Sequence, residues 1–158
     1  MALARQPVLY TDLAVPDTLD GRFDMIILHA DAVVGHMQDG EPQDQEFAQE
    51  LIDEVFRDMD RSLREMGVGD MGVGKRVKKM ATVYYGRADA YARARVEGPD
   101  DLGDAILRNV FAGDEARAKE AARLARYDQS FRKAVSGARR DVIRNGKLDL
   151  PPPAWLDT

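Results

Sequence analysis

The residues whose spacing most resembles a chemical motif lie in GDMGVGKRVKKM, Gly69 to Met80. Glycine, four residues, then Gly74 and Lys75 is the skeleton of a phosphate-binding loop, in which backbone N–H groups cradle a nucleotide's phosphates and the lysine reaches them. Such a loop also needs a β-strand in front of it and a Ser or Thr after the lysine to hold Mg²⁺. Arg76 stands where that hydroxyl belongs, and the preceding DQEFAQELIDEVFRDMDRSLREM carries helical periodicity. No strand ending in a Mg²⁺-binding Asp is evident, so a nucleotide is not an expected ligand. The competing reading is a helix-to-helix turn. In it Gly67, Gly69, Gly72 and Gly74 permit backbone conformations and close approaches that a side chain blocks, and Asp70 caps the next helix.

Other chemistry is thinner. His29 and His36 are seven residues apart, roughly 10.5 Å along a helix, too far to share a metal ion, and no carboxylate stands at the Glu-x-x-His spacing of a di-iron bundle. Each reads as a surface or boundary histidine. Asp58 and Asp60 are two apart and do not face each other on a helix, and Glu50 and Glu54 fall in an acidic, outward stretch. Ser62, Ser130 and Ser136 lack a nucleophile-elbow context. The chain contains no Cys, which excludes disulfides, thiolate metal sites and a cysteine nucleophile. No catalytic residue, metal site or cofactor is expected.

Charge is more informative. The net charge of −5 argues against a general DNA- or RNA-binding protein, yet its distribution is uneven. Asp39 to Asp60 holds nine acids against one base, Arg57, whereas Lys75, Arg76, Lys78 and Lys79 make four of five consecutive residues basic. These cations crowd the start of a helix, where the macrodipole disfavours them. They form a solvated face, pair with acids such as Asp58, Asp60, Glu65 or Asp70, or meet an anionic partner such as lipid headgroups or ribosomal RNA.

The elements that must position these groups are helices. At 158 residues one core is expected. Pro7 opens a short helix, and VPDT ends it and restarts the chain with Asp17 or Thr18 as N-cap. Leu19, Phe23, Ile26, Ala30, Val33 and Met37 then form one apolar stripe. After a turn at Gly40 and Pro42, the apolar residues from Phe47 to Met66 span a face roughly 140° wide, which predicts the central helix of the bundle, stopped by Gly67. Val73, Val77, Met80, Tyr84, Ala88 and Tyr91 predict a long helix from about Met71 to Val96, ended by Gly98 and Pro99. A shorter helix carries Leu102, Ile106 and Val110, and one or two Ala-rich helices follow, anchored by Leu124, Phe131, Val135 and Val142. The fold class is all-α, a single compact bundle of five to seven helices over residues 1–146, with an extended Pro-rich tail over 147–158 that Trp155 could pin down.

Four blocks give the chain a family likeness. ARQPVLYTDLAVPDTLDGRFDM (Ala4 to Met25), DMDRSLREMGVGDMGVGKRVKKM (Asp58 to Met80), YYGRADAY (Tyr84 to Tyr91) and LRNVF (Leu107 to Phe111) occur in that order. Together they closely resemble the ubiquinol-cytochrome c chaperone family in its α-proteobacterial form. The resemblance covers about Ala4 to Phe111; the chain departs from it at Asp31 and Gly35 and begins later than typical members, which carry a membrane-proximal extension. It implies an all-helical protein without enzymatic activity that assists assembly of the cytochrome bc1 complex. Mitochondrial relatives bind newly made cytochrome b near the ribosome, with a small partner protein.

Such a role requires a surface that holds apolar helices. Phe56 and Met59, with Tyr84, Tyr85 and Tyr91, could line a helix-accepting groove, the alternative being that they are core. The expected partners are cytochrome b or a bc1 assembly intermediate, with the ribosome or an anionic membrane as a second surface met by Lys75, Arg76, Lys78 and Lys79. The expected location is the cytoplasm, peripheral to the inner membrane. Two alternatives stay open: a haem- or small-ligand-binding protein using His29, His36 and methionines, and a helical adaptor unrelated to respiration.

Overall fold

The computed structural model describes residues 2–148, and among them every regular element is helical. Seven α-helices follow in order: α1 (Pro7–Thr11), α2 (Leu19–Gln38), α3 (Pro42–Glu65), α4 (Asp70–Glu97), α5 (Pro99–Val110), α6 (Ala118–Gly137) and α7 (Arg140–Arg144). Short 3-10 turns, Leu3–Arg5 and Glu115–Arg117, precede α1 and α6. They build one all-α bundle, as the periodicity predicts. The expected tail leaves the described residues after Leu148, so its prolines and Trp155 lie outside them.

Local chemistry sets the boundaries. Thr18 caps α2, accepting from the Gly21 N–H at 3.1 Å. Pro42 opens α3, where Glu41 and Asp44 form a reciprocal capping box. Gly67, just beyond α3, has φ +82°, a left-handed conformation that costs glycine little. Gly72 is tight for a different reason, because a Cβ there would stand 3.0 Å from a methyl of Val68, which would have to shift. Gly69 and Gly74 meet neither requirement; a Cβ on either would enter open space. Asp70 is not the cap either. Gly69 occupies that position, and Asp70, the first residue of α4, gives its carboxylate to Arg64.

The central helix is α2, where the apolar spacing favours α3. The run from Phe23 to Leu28 and on through Ala30, Ala32, Val34 and Met37 is buried on nearly every side of α2, which packs against α3, α4 and α6. A helix apolar all round must be interior. On α3 the buried residues Ala48, Ile52, Val55, Met59 and Leu63 keep to one stripe, with Phe47, Leu51 and Phe56 half-buried beside it. Glu46, Glu50, Asp53 and Glu54 face solvent. Near the C-terminus, Ile143 takes the buried position expected for Val142.

The polar residues of α2 decide how the bundle locks. Asp24 is 3% exposed and meets the Arg87 guanidinium from α4. Asp31 pairs with Arg132 of α6, and Arg95 of α4 approaches it at 3.6 Å. The same arginines close on Asp128 of α6, itself 1% exposed: Arg95 bidentately at 2.8 and 3.0 Å, Arg132 at 3.2 and 3.3 Å. Two carboxylates and two guanidiniums thus tie α2, α4 and α6. At the other end of the chain, Arg144 of α7 reaches the buried Asp44 of α3, and Arg140 donates to the His36 carbonyl near the end of α2 at 3.0 Å.

His36 is the boundary residue expected, its Nε2 donating to the Ala138 carbonyl at 3.1 Å. His29 is not; it is buried. Its Nδ1 lies 2.7 Å from the Met25 carbonyl, which can only accept, so Nδ1 carries the proton and Nε2 accepts from the Tyr127 hydroxyl. Phe131 packs edge-on against the ring at 4.8 Å. Burial pushes His29 down to about 4, well below its ordinary 6.5.

Two outcomes follow from this core. Arg95→Ala leaves Asp128 short of its bidentate partner and should lower unfolding free energy by about 3 kcal/mol, read from the denaturant midpoint. His29 stays neutral in the fold, whereas the unfolded chain binds the extra proton once pH drops below 6.5. Its contribution is therefore complete above that pH and is lost progressively down to about pH 4, up to about 3 kcal/mol. The wild-type stability curve should fall more steeply across this window than that of His29→Gln; parallel curves would contradict the assignment.

Candidate functional site

The corner between α3 and α4 gathers the features that the motif search singles out. Lys75, Arg76, Lys78 and Lys79 are all exposed on the first turns of α4, and among the described residues none forms a salt bridge. Three of the four acids that could neutralise them are engaged elsewhere, and Glu65, the fourth, forms no salt bridge with them. Asp58 is held by Arg5 and Arg61, and Asp60 and Asp70 by Arg64. The result is a cationic face that opposes the helix dipole and is held by no salt bridge among the described residues. Gly74 and Lys75 lie inside α4 and a helix leads into the turn, so the architecture of a phosphate-binding loop is absent here.

Beside this face are large apolar side chains without cover. Met66 is 61% exposed and Met71 95%, one on each side of the Gly67 turn. Two clefts open at the same end of the bundle, on either side of the first turns of α2. One, of about 700 Å³, has an apolar floor of Phe23, Ile26 and Met59, with the exposed Met66 at its edge. Its rim carries Arg5, which pairs with Asp58 at 3.0 Å, and the Arg22–Asp17 pair at 2.7 Å. The other, of about 480 Å³, lies between α2, the end of α3 and the basic part of α4.

The aromatic groove expected from Phe56, Met59, Tyr84, Tyr85 and Tyr91 is not assembled as a single surface. Tyr84 and Tyr91 are 2% and 1% exposed; they are seven residues apart and share the inward face of α4. Phe56, half-buried, packs edge-on against Tyr84 at 5.8 Å, and Tyr85 meets Tyr84 at 5.2 Å while remaining exposed. Burial raises the Tyr84 hydroxyl far above its usual range and pushes Tyr91 up to about 12, so both are protonated at neutral pH. Met59 alone of this group lines an open cleft. Sequence reasoning missed the contribution of α1 and the start of α2. The signal was available, because a helix apolar on all sides needs cover on all sides, and a five-residue α1 cannot supply it.

As placed, His29 has no free ring nitrogen for haem iron. Among the described residues no group of three or more His, Asp or Glu is arranged to hold a metal ion, and no helix is long and apolar enough to cross a membrane. What the geometry offers is recognition, with an apolar cleft for a segment of chain and a cationic face for an anionic surface.

Residues 11–150 match the family described as Ubiquinol-cytochrome C chaperone. No curated protein matches the chain. Among solved structures, the Cbp3 homolog from Brucella abortus is similar at 35% identity over 99% of this chain and 84% of that one, with a TM-score of 0.84. The match extends past Phe111, where the recognisable sequence blocks end, to take in α6 and α7. With most of its length matched and its fold shared with the Brucella protein, the chain belongs to the ubiquinol-cytochrome c chaperone family.

Proposed function

We propose that this protein is a noncatalytic assembly chaperone of the cytochrome bc1 complex that binds cytochrome b, or an early intermediate containing it, at the cytoplasmic face of the inner membrane. The observation that carries this reading is an open apolar cleft of about 700 Å³ at the same end of the bundle as an unpaired cationic face, in a member of this family. A client rich in apolar helices needs a surface that holds one such helix without enclosing it, and a groove with an apolar floor and a polar rim does so. The exposed Met66 at its edge suits this task, since a flexible thioether adapts to varied side chains. The lysines of α4 then turn the protein toward an anionic surface, the bilayer or the ribosome.

Deleting the gene should deplete spectroscopically detected cytochrome b and bc1 activity, and normal levels would sink the proposal. Met66→Glu, at an exposed position, should leave the melting temperature nearly unchanged, fail to restore bc1 content, and lose crosslinking between this cleft and cytochrome b. A second expectation concerns the basic face. Reversing Lys75, Lys78 and Lys79 to Glu removes three contacts of about 1 kcal/mol each near an anionic surface, lowering vesicle or ribosome binding by about a hundredfold at low salt. Unchanged binding there would reduce the cluster to a solvated face.

A further inference from the structure

The smaller cleft is built differently from the larger one. On α4, Arg76, Met80, Val83 and Arg87 recur at intervals of four, three and four, and Lys79 adjoins them, so one helix face carries cations at its start and apolar surface further along. Phe23 of α2 and Leu63 of α3, both buried, complete the apolar floor. The deep end is already neutral, because Arg87 meets Asp24 there and also donates to the Asn109 carbonyl at 3.1 Å. Arg76 and Lys79 at the mouth have no such partners; one exposed carboxylate, Asp20, stands on the opposite rim. Both cations belong also to the shallow basic surface formed with Lys75, Lys78 and Thr82.

We infer that this cleft is a binding site for an anionic phospholipid. The headgroup phosphate pairs with Arg76 and Lys79, and the upper acyl chain lies on Phe23, Leu63, Met80 and Val83. The volume of about 480 Å³ lies within the ~300–1,000 Å³ of small-ligand pockets, enough for part of a lipid whose remaining chain stays in the bilayer. A nucleic-acid surface would pair such cations with exposed aromatic faces for stacking. Here the half-buried surface beside them is aliphatic and thioether, from Val83 and Met80, and the one aromatic ring of the lining, Phe23, is buried. Met71, the most exposed large apolar residue at this corner, is placed to enter the headgroup region with the lysines around it. The inference rests on the peripheral-membrane part of the proposed function, but not on the identity of the client.

The test uses the full chain and a short-chain anionic lipid, dihexanoyl phosphatidylglycerol, below its micelle concentration, followed by calorimetry and amide NMR shifts. The expected result is saturable one-to-one binding with shifts centred on residues 76–87. Dihexanoyl phosphatidylcholine and inorganic phosphate should bind much more weakly. The exposed pair Arg76→Ala and Lys79→Ala should weaken binding about tenfold or more, the loss expected for charge-assisted contacts. Val83→Trp, which fills the floor, should do the same; if that variant does not fold, the alanine pair carries the test. Absence of saturation, equal binding of inorganic phosphate, or affinity unaffected by these substitutions would overturn the site. Tighter binding of an oligoribonucleotide to the same face, indifferent to Val83→Trp, would reassign it to RNA. Lipid binding with normal bc1 levels after gene deletion would preserve the site and reject the chaperone reading; bc1 loss in Met66→Glu without lipid binding would do the reverse.

Discussion

Asp128 sits inside the bundle with two arginines closed around it, and Asp31 shares the same pair. A carboxylate taken out of water is tolerated only where charge and hydrogen bonds replace its hydration, and leaving one unmatched costs several kcal/mol. The apolar faces of α2, α4 and α6 could slide or rotate against one another with modest loss, since hydrophobic contact is not directional. The guanidinium–carboxylate geometry is directional. It admits one register, in which Arg95 from α4 and Arg132 from α6 converge on α2, and the Arg87–Asp24 pair repeats the constraint two turns away on both helices. Arc-length, tilt and rotation of α4 relative to the centre follow from these contacts.

That constraint explains where the open surface falls. Both arginines of α4 that lock onto α2 lie in its second half, while α4 begins at Asp70, roughly 25 Å before Arg87 along the helix axis. The first half is steered by α3 through the Gly67 turn and packs through Val73, without a buried ion pair of its own. A gap between α4 and the first turns of α2 remains there, and the short α1 leaves a second gap on the far side of those turns. The Arg87–Asp24 pair closes the deep end of the smaller cleft, and the pairing of Arg95 and Arg132 with Asp128 lies about two turns beyond it.

Much of this was legible in the sequence, and what was not has a physical cause. Thr18, Pro42 and Gly67 mark helix ends because capping and left-handed backbone depend on residues a few positions apart. The Arg76 mismatch and the helical run before Gly69 sufficed to dismiss a nucleotide site. The centre of the bundle was misjudged because a periodic stripe can be drawn through α2 although apolar residues also fill the gaps between its members. His29 reads as a boundary residue for a related reason, because the polar tip of a large side chain looks like surface until its partner Tyr127, separated by 98 residues, is known; for Tyr84 and Tyr91, where groove and core stayed open, the fold takes the core alternative. Pairings such as Asp31 with Arg132 link helices far apart in sequence, and no local spacing encodes them.

The uneven distribution of charge gives the molecule a polarity of its own. Glu46, Glu50, Asp53 and Glu54 lie about 20–30 Å along α3 from the corner where the free lysines gather, so an acidic patch and a basic patch are well separated. A body with an overall surplus of negative charge is repelled by an acidic surface from afar, and only the torque on its dipole brings the cationic corner forward as it nears. Contact is then restricted to a narrow cone of orientations, and a molecule arriving with the wrong side first is turned away before it touches.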